Sequence, residues 1–252
     1  MNILTLIPAR MGSSRFPGKP LALINGKPMI HHIAESCSDV SFLGHSYFSY
    51  VATCDEIIHN YIQSLGLQSV MTSDKHQRCS DRCCEALDII EARLNIKFDL
   101  IVMVQGDEPL VDSSMIKASV EPFFLDDNIK VVNLVSPIRD ESELISKNTI
   151  KVVFDQYFNS LYFSRSPIPS SPLDPNLHYK QVCVIPFRRE YLKIYNELAP
   201  TNLEIAESVD MLRFLQHNIP VKLILIQKNT HPVDIPSDII IVEQMIRVNN
   251  LP

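Results

Sequence analysis

The residues LIVMV (Leu100–Val104) form an uninterrupted apolar run that is followed at once by the polar residues QGDEP (Gln105–Pro109). A strand that is covered on both faces has this composition, because neither of its faces meets water. The start of the chain has a similar order, with the strand-like NILTLI (Asn2–Ile7) leading into the loop PARMGSSRFPGKP (Pro8–Pro20). The sequence therefore predicts strands inside a parallel sheet, each ending in a polar loop.

Strand-like and helix-like segments alternate along most of the chain. We predict strands at Asn2–Ile7, Tyr47–Thr53, Ser69–Thr72, Leu100–Val104, Lys130–Val135, Ile150–Phe154, Gln181–Pro186 and Val221–Gln227. We predict helices at Pro28–Ser36, Asp55–Leu65, Ser80–Leu94, Ser113–Phe124, Arg189–Leu198, Leu203–Gln216 and Ser237–Val248. This alternation is typical of an α/β protein whose mostly parallel strands are joined by crossover helices. The proline-rich stretch Ser164–Leu177 interrupts it and is predicted to be an extended arm.

The composition is that of a globular protein of 252 residues, with 46% hydrophobic and 21% charged residues. A formal net charge of −6 provides no basic excess for a polyanion, so nucleic acid is not a predicted partner. No apolar run approaches the roughly 18 residues that a membrane helix needs, and no stable membrane insertion is expected. The six cysteines have no regular framework spacing. We therefore expect a cytoplasmic protein with reduced thiols.

The loop from Pro8 to Pro20 carries three cations, two serine hydroxyls and two glycines. A loop that leaves the carboxyl end of a parallel strand lies where open α/β sheets bind ligands. Its backbone N–H groups, together with arginine and lysine, can neutralise a triphosphate. The loop is not a Walker-type phosphate loop, because Lys19 is followed by proline instead of serine or threonine. The alternative interpretation is a Gly/Pro turn with solvated cations.

Acidic residues mark two further segments. Asp107 follows the apolar strand Leu100–Val104, where a carboxylate can share a hard cation with the phosphates of a substrate. Asp234 precedes the last predicted helix, which on its own is explained as a helix entry with Ser237 as the cap. An acidic turn is the alternative interpretation of Asp107.

One histidine and three cysteines lie close enough in the sequence to suggest a zinc site. Its members are His76, Cys79, Cys83 and Cys84. Their spacing matches no usual zinc-ligand pattern, and Cys83 lies on the apolar face of a predicted helix. Core or incidental cysteines are therefore the favoured interpretation.

Several motifs together resemble the 3-deoxy-manno-octulosonate cytidylyltransferase family, also called CMP-Kdo synthetases. They are IPARMGSSRFPGKPL (Ile7–Leu21), INGKPMI (Ile24–Ile30), VQGDEPL (Val104–Leu110), KVVFD (Lys151–Asp155), LYFSRSPIP (Leu161–Pro169) and VDIPSDI (Val233–Ile239). The first motif is shared more loosely by other sugar nucleotidyltransferases. Its combination with QGDEP (Gln105–Pro109), YFSRSPIP (Tyr162–Pro169) and VDIPSD (Val233–Asp238) is much more specific to the Kdo enzymes.

The resemblance implies one cytidylyltransferase domain over residues 1–252. Its fold would be Rossmann-like, of the nucleotide-diphospho-sugar transferase type, with helices on both faces of a mostly parallel sheet and a small dimerisation and sugar-binding lobe. Roughly residues 1–125 would form the nucleotide-binding half and 126–252 the sugar-acid-binding and dimerisation half. The implied reaction is a Mg²⁺-dependent transfer of CMP from CTP to the anomeric hydroxyl of a 2-keto-3-deoxy sugar acid, with release of pyrophosphate, for lipopolysaccharide or another surface glycan. A homodimer is also implied.

The same resemblance assigns expected roles to individual residues. Catalytic roles are expected for Arg15, Lys19 and Asp107. Nucleotide binding is expected for Ala9, Arg10, Gly12, Ser13, Ser14, Arg15, Lys19, Thr72, Arg82 and Gln105. Sugar-acid binding is expected for Arg165, Gln181, Glu204, Glu207 and Asp210, and metal binding for Asp107 and Asp234.

The chain departs from the family pattern mainly in the part expected to bind the sugar. Cys54 stands where the family has aspartate, and Cys79 where it has glycine. Gln181, Ile185 and Met211 replace a histidine, a tyrosine and a glutamine. Because a site that hydrogen-bonds hydroxyls discriminates strongly between ligands, we expect the acceptor to be Kdo or a modified form, such as an amino-substituted acid. The alternatives are a nucleotidyltransferase for another sugar or sugar phosphate, and a nucleotide-binding module without turnover.

Overall fold

The computed structural model describes residues 1–249. Its strands are β1 (Asn2–Ala9), β2 (Leu23–Ile24), β3 (Lys27–Pro28), β4 (Ser46–Thr53), β5 (Ser69–Met71), β6 (Leu100–Val104), β7 (Val131–Pro137), β8 (Lys151–Phe154), β9 (Ser160–Ser164), β10 (Tyr179–Val182), β11 (Val184–Arg188) and β12 (Val221–Leu225). Its α-helices are α1 (Met29–Ser38), α2 (Glu56–Ser64), α3 (Cys79–Leu94), α4 (Ser113–Val120), α5 (Pro122–Leu125), α6 (Glu141–Ile145), α7 (Arg189–Glu197), α8 (Asn202–Glu207), α9 (Met211–Gln216) and α10 (Asp238–Asn249). The predicted α/β alternation is confirmed.

The chain forms two compact units. The first contains Met1–Lys117 and residues 230–249, and the second contains Ala118–Asn229. This division differs from the predicted one near residue 125, because the C-terminal segment belongs to the first unit. Asp234 and Asp107, far apart in sequence, are therefore parts of the same unit.

The first unit is built on a parallel sheet with the strand order β5-β4-β1-β6. Ile3, Leu4 and Leu6 of β1 have no exposed surface, as expected of a strand covered on both faces. Because the strands are parallel, the loops after β1, β4 and β6 leave the sheet at the same edge. These loops begin at Arg10, Cys54 and Gln105.

The second unit contains a mixed sheet around β7. This strand pairs in parallel with β12 and antiparallel with β10 and β11, and β8 pairs antiparallel with β10 and with β9. The predicted strand Gln181–Pro186 is two strands, because Cys183 separates β10 from β11. Strand β9 and helix α6 were not predicted. The predicted arm Ser164–Leu177 contains no helix or strand beyond Ser164, the last residue of β9.

Two predicted helices are each divided. In Ser113–Phe124, α4 ends at Val120 and α5 starts at Pro122, which has no N–H to continue the first helix. In Leu203–Gln216, the break between α8 and α9 contains Ser208, whose φ of 54° lies in the left-handed region. No helix within residues 1–249 has the length and apolarity needed to cross a membrane.

Candidate active site

The segment Pro8–Pro20, called here the cationic loop, starts with the last two residues of β1 and is closed by its own backbone. The carbonyl oxygen of Met11 accepts the N–H of Ser13 at 2.9 Å and that of Gly18 at 3.0 Å. Gly18 has a φ of +76°, a left-handed conformation that strains other residues. The closed loop places Lys19 at the carboxyl ends of the parallel strands, where ligands of open α/β sheets bind.

Lys19 lies between the two aspartates predicted to bind metal. Its Nζ is 2.9 Å from Oδ2 of Asp107 and 3.9 Å from Oδ1 of Asp234, and it donates to the carbonyl oxygen of Val233 at 2.7 Å. Nη2 of Arg15 lies 2.8 Å from the same Oδ1 of Asp234. The structure therefore brings together Arg15, Lys19, Asp107 and Asp234, which we call the Lys19 cluster.

Backbone contacts fix the two aspartates. A Cβ on Gly106 would lie 2.7 Å from the carbonyl oxygen of Pro8, so only glycine allows the loops after β1 and β6 to approach so closely. The N–H of Val233 donates to the backbone carbonyl of Asp107 at 2.9 Å, which joins the C-terminal segment to the β6 loop. Oδ2 of Asp238 accepts the N–H groups of Asp234 and Ile235 at 2.7 and 2.9 Å. Asp238 thus holds the turn before α10, and the capping role of Ser237 stays a prediction.

The Lys19 cluster is partly open to solvent. The side chain of Arg15 is 48% exposed and that of Asp107 is 23% exposed. Burial and the charge of Asp107 raise the pKa of Asp234, although Lys19 and Arg15 oppose this change. Two carboxylates in a partly buried position repel each other, and a cation that binds between them relieves this repulsion. The oxygen donors suit a hard divalent cation.

A small cavity of about 90 Å³ lies beside the start of the cationic loop. It is lined by Pro8, Ala9, Arg10, His76, Gln77, Arg78, Cys79 and Arg82. Arg82 is only 3% exposed, and its Nη1 donates to Oγ1 of Thr72 at 2.5 Å and to the carbonyl of Ser73 at 3.1 Å. Nη2 of Arg82 is buried without a hydrogen-bond partner in the described part of the chain. An unsatisfied buried donor suits a ligand that brings an acceptor.

The other residues predicted to bind nucleotide also belong to the first unit. Nη1 of Arg10 lies 3.4 Å from the carbonyl of His76, and Oγ of Ser13 accepts the N–H of Phe16 at 3.4 Å. Gly12 and Ser14 are exposed in the cationic loop, and Gln105 is half-buried directly after β6. Ala9 and Thr72 are buried.

In the second unit, Glu204 belongs to a sealed ion pair. Its two carboxylate oxygens lie 2.7 Å from Nη2 and Nε of Arg213, and one of them also accepts from the hydroxyl of Tyr195 at 2.9 Å. The side chains of Glu204 and Arg213 are 0% and 5% exposed. Burial opposes ionisation, but the hydrogen bonds from Arg213 and Tyr195 keep the pKa of Glu204 low. The ion pair gives Glu204 a structural role, and its contact with a sugar acid stays a prediction.

Arg165 and Glu207 are also hydrogen-bonded to other groups of the protein. Arg165 donates from Nε to the carbonyl of Glu207 at 2.5 Å and from Nη1 to that of Lys147 at 2.7 Å. Glu207 accepts the N–H of Arg165 at 2.7 Å and the hydroxyl of Ser164 at 3.0 Å. These bonds order the segment after β9. Sugar binding by Arg165 and Glu207 stays a prediction.

Of the three residues that depart from the family pattern in the expected sugar-binding part, only Gln181 has appreciable exposed surface to offer a ligand. Gln181 is half-buried, and its Nε2 donates to Oδ1 of the buried Asn133 at 2.6 Å. Ile185 and Met211 are 1% and 0% exposed. The expectation that both determine sugar specificity is corrected, because they are core residues. Asp210 is half-buried at the start of α9, and its predicted sugar contact stays a prediction.

Two aspartates that support the site, Asp55 and Asp238, are not among the predicted site residues. Oδ2 of Asp55 accepts the N–H of Met11 at 2.8 Å. Asp55 follows β4 after one residue, much as Asp107 follows β6. The position of an acidic residue after a parallel strand was therefore a signal for Asp55 as well. Asp238 had no comparable signal, because an acid in the first turn of a helix is common.

A parallel sheet with a cationic loop and two aspartates at its carboxyl edge defines an α/β nucleotidyltransferase. The family model described as "Cytidylyltransferase" matches residues 4–226. A 3-deoxy-manno-octulosonate cytidylyltransferase of Geobacter metallireducens is 36% identical over 251 residues, with 95% of each chain covered. An 8-amino-3,8-dideoxy-manno-octulosonate cytidylyltransferase of Shewanella pealeana is 38% identical and covers 99% of this chain and 100% of its own. The chain belongs to the 3-deoxy-manno-octulosonate cytidylyltransferase family.

A solved structure supports both the family and the fold. It is described as a CMP:2-keto-3-deoxy-manno-octonic acid synthetase complexed with CTP. Its TM-score to this chain is 0.84 at 31% sequence identity, and the match covers 99% of this chain and 100% of the other. The predicted fold class, an α/β nucleotide-diphospho-sugar transferase, is confirmed.

Proposed function

We propose that this protein transfers CMP from CTP to the anomeric hydroxyl of Kdo or a modified 3-deoxyulosonic acid. The hydroxyl loses its proton to solvent as its oxygen forms a bond to the α-phosphorus, the bond from that phosphorus to the bridging oxygen breaks, and pyrophosphate leaves with the electron pair of that bond. The observation that carries the proposal is the Lys19 cluster, in which Asp107 and Asp234 lie 2.9 and 3.9 Å from one lysine. Membership of the family supports the choice of CTP and a sugar acid as substrates.

The side chains of the cluster suit a reaction that depends on position and charge. Lys19 and Arg15 neutralise the triphosphate and the charge that develops on departing pyrophosphate. Arg82, with its unpartnered Nη2, would bind an acceptor atom of the nucleotide. The acceptor hydroxyl is itself the nucleophile, so the protein needs no side-chain nucleophile and mainly holds the reactants in line.

Magnesium is part of this proposal, and the donor set of the cluster fits it. Asp107 and Asp234 would hold the ion, which in proteins is typically bound by one or two carboxylates together with substrate phosphates. When bound, Mg²⁺ supplies positive charge to the phosphates and lowers the pKa of the attacking hydroxyl. Lys19 Nζ lies between these two carboxylates, and it would be available to the phosphates with the ion in place.

An 8-amino sugar acid is a second candidate acceptor. The relative from Shewanella pealeana carries that acceptor in its name and matches this chain over its whole length. Gln181, which replaces a histidine of the family pattern, offers a neutral amide that tolerates either a hydroxyl or an amine. Both acceptors share the anomeric hydroxyl and the carboxylate, so the same transfer chemistry applies to each.

Pyrophosphate release with CTP and Mg²⁺ tests the proposal, with Kdo and 8-amino-Kdo as parallel acceptors. We expect release with at least one of the two acids and a clear preference for CTP over UTP and ATP. Release with 8-amino-Kdo but not with Kdo would identify the amino-substituted sugar acid as the acceptor. Turnover of a sugar phosphate instead of either acid, or CTP binding without turnover of any acceptor, would contradict the proposal.

A homodimer, a cytoplasmic location and a role in lipopolysaccharide or surface-glycan synthesis complete the proposal. In the second unit, the exposed apolar side chains of Tyr157, Leu161 and Leu177 are compatible with a subunit contact. Light scattering on the purified protein should give about twice the mass of the chain. A monomeric mass at the concentration of the activity assay would contradict the dimer.

A further inference from the structure

Asp55 occupies a capping position but does not cap its own helix. It precedes α2, where an aspartate ordinarily accepts a hydrogen bond from an N–H of the first turn. Its side chain makes no such bond. Oδ2 instead accepts the N–H of Met11, in the cationic loop, at 2.8 Å. The carboxylate is therefore used on a segment 44 residues earlier in the chain.

Met11 is the point at which the cationic loop closes. Its carbonyl oxygen accepts the N–H groups of Ser13 and Gly18, and Gly18 directly precedes Lys19. Arg10, on the other side, lines the cavity that contains Arg82. Holding the peptide groups of Met11 thus fixes the backbone next to Arg10 and Lys19, two of the cations expected to bind the nucleotide.

Asp55 is itself held in place by contacts with the end of β4 and the start of α2. The N–H of Asp55 donates to Oγ1 of Thr53 at 3.1 Å, and Thr53 is fully buried at the end of β4. The thiol of Cys54 lies 3.7 Å from the same Oδ2 that accepts from Met11. The carbonyl of Asp55 accepts the N–H groups of Ile58 and His59 in the first turn of α2 at 3.1 and 3.0 Å. The carboxylate therefore has a fixed place from which to hold the loop.

The negative charge of Asp55 works against the proposed ligand. A carboxylate beside a loop that binds a triphosphate repels the phosphates, and this repulsion is strong where water is partly excluded. Its benefit must come from the acceptor oxygen that it places on Met11. A neutral residue with the same acceptor should then serve the loop equally well.

We propose that Asp55 is a positioning residue that holds the cationic loop in its nucleotide-binding form through the amide of Met11. This inference rests on the proposed function of the loop in CTP binding. It joins the loops after β1 and β4 into one binding structure. Preorganised loops bind more tightly because less order has to be gained on binding.

The test compares Asp55→Ala with Asp55→Asn by hydrogen exchange and by CTP titration. In Asp55→Ala we expect loop amides near Met11 to exchange at least about tenfold faster, and the Kd for CTP to rise about tenfold. The KM for CTP should rise in parallel while kcat stays within about twofold, because binding and not chemistry is affected. In Asp55→Asn the Kd for CTP should equal that of the wild type or be lower.

Asp140→Ala is the matched control. Asp140 precedes α6 in the second unit, and its Oδ1 accepts the N–H of Ser142 at 2.7 Å, so it is a true helix cap. We expect its loss to lower stability and to leave CTP affinity unchanged. The proposal is overturned if Asp55→Ala keeps wild-type loop exchange and affinity, or if Asp55→Asn weakens CTP binding as much as Asp55→Ala does. If the wild type binds no CTP, the proposed function fails, and loop exchange alone decides the role of Asp55.

Discussion

The Lys19 cluster of the first unit and the Glu204–Arg213 pair of the second are made of the same kinds of side chain, but their surroundings differ. Arg15 and Asp107 are 48% and 23% exposed in their ion pairs, whereas Arg213 and Glu204 are 5% and 0% exposed. Two carboxylates share one lysine in the first case. In the second, one carboxylate is saturated by an arginine and a tyrosine.

Because of this difference, the charges of the Lys19 cluster are accessible to a ligand, whereas those of the Glu204–Arg213 pair stabilise the fold. Burial and the charge of Asp107 raise the pKa of Asp234, so a carboxylate pair with access to solvent gains by binding a cation. A sealed pair has no capacity left for a ligand, and removing one partner leaves the other as an uncompensated buried charge. We therefore expect substitutions in the first cluster to affect activity and substitutions in the second to affect stability.

The largest effect is expected for Asp107→Asn. This change removes a proposed metal ligand while keeping the shape of the side chain, so pyrophosphate release should fall about a thousandfold. The melting temperature should stay within a few degrees of the wild type. Asp39→Asn, an exposed aspartate of the same unit, is the control. Near-normal turnover by Asp107→Asn would remove Asp107 from the reaction centre.

The next effect concerns stability. Glu204→Gln leaves the charge of Arg213 buried without its partner, and chemical denaturation should show a loss of about 3 kcal/mol in the free energy of unfolding. The exposed Glu197→Gln in the same unit should change it little. The KM for the sugar acid should stay normal in the folded fraction. If Glu204→Gln instead had a raised KM for the sugar acid and unchanged stability, the predicted role of Glu204 in sugar binding would be supported.

Lys19→Ala should lower kcat/KM for CTP about a hundredfold, because the triphosphate loses its main counter-charge. Lys75→Ala, an exposed lysine of the same unit, controls for net charge. Steady-state kinetics at saturating Mg²⁺ provide the measurement. Kinetics equal to those of the wild type would show that Lys19 does not act on the substrate.

The smallest expected effect is a pH dependence of the free energy of unfolding, caused by the buried Lys151. Lys151 has no exposed surface and donates to the carbonyls of Ser146, Thr149 and Arg165. Burial and the charge of Arg165 lower its pKa from 10.5 to about 8, with Glu207 opposing. Because the unfolded chain then binds the proton more tightly, the stability contributed by Lys151 rises with pH above about 8.

The measurement is the difference in unfolding free energy between the wild type and Lys151→Met. Between pH 8 and 9.5 this difference should shift by about 1.5 kcal/mol in favour of the wild type. A difference that is flat over this range would show that Lys151 does not titrate there.

The sequence predicted the first unit better than the second. Parallel strands bring their carboxyl ends to one edge, so Lys19 and Asp107 could be placed together from the positions of β1 and β6 alone. Their contact with Asp234 came from motif resemblance, because nothing in the local sequence shows that the C-terminal segment returns to the first unit.

The second unit gave weaker signals. The left-handed Ser208, which separates α8 from α9, is not a glycine, so no residue type marked the break. Motif resemblance suggested that residues replacing Tyr and Gln would contact the sugar, yet Ile185 and Met211 lie in the core. Burial depends on tertiary packing, and a residue-by-residue transfer of roles does not detect it.

Calorimetric titration of CTP, with and without Mg²⁺, tests most directly whether the open charge cluster is the reaction centre. The wild type should bind one CTP per chain, and Mg²⁺ should strengthen this binding. In Asp234→Asn the strengthening by Mg²⁺ should be lost while the protein stays folded, because one of two carboxylates for the ion is gone. Binding of CTP to Asp234→Asn with the same Mg²⁺ dependence as in the wild type would contradict the account.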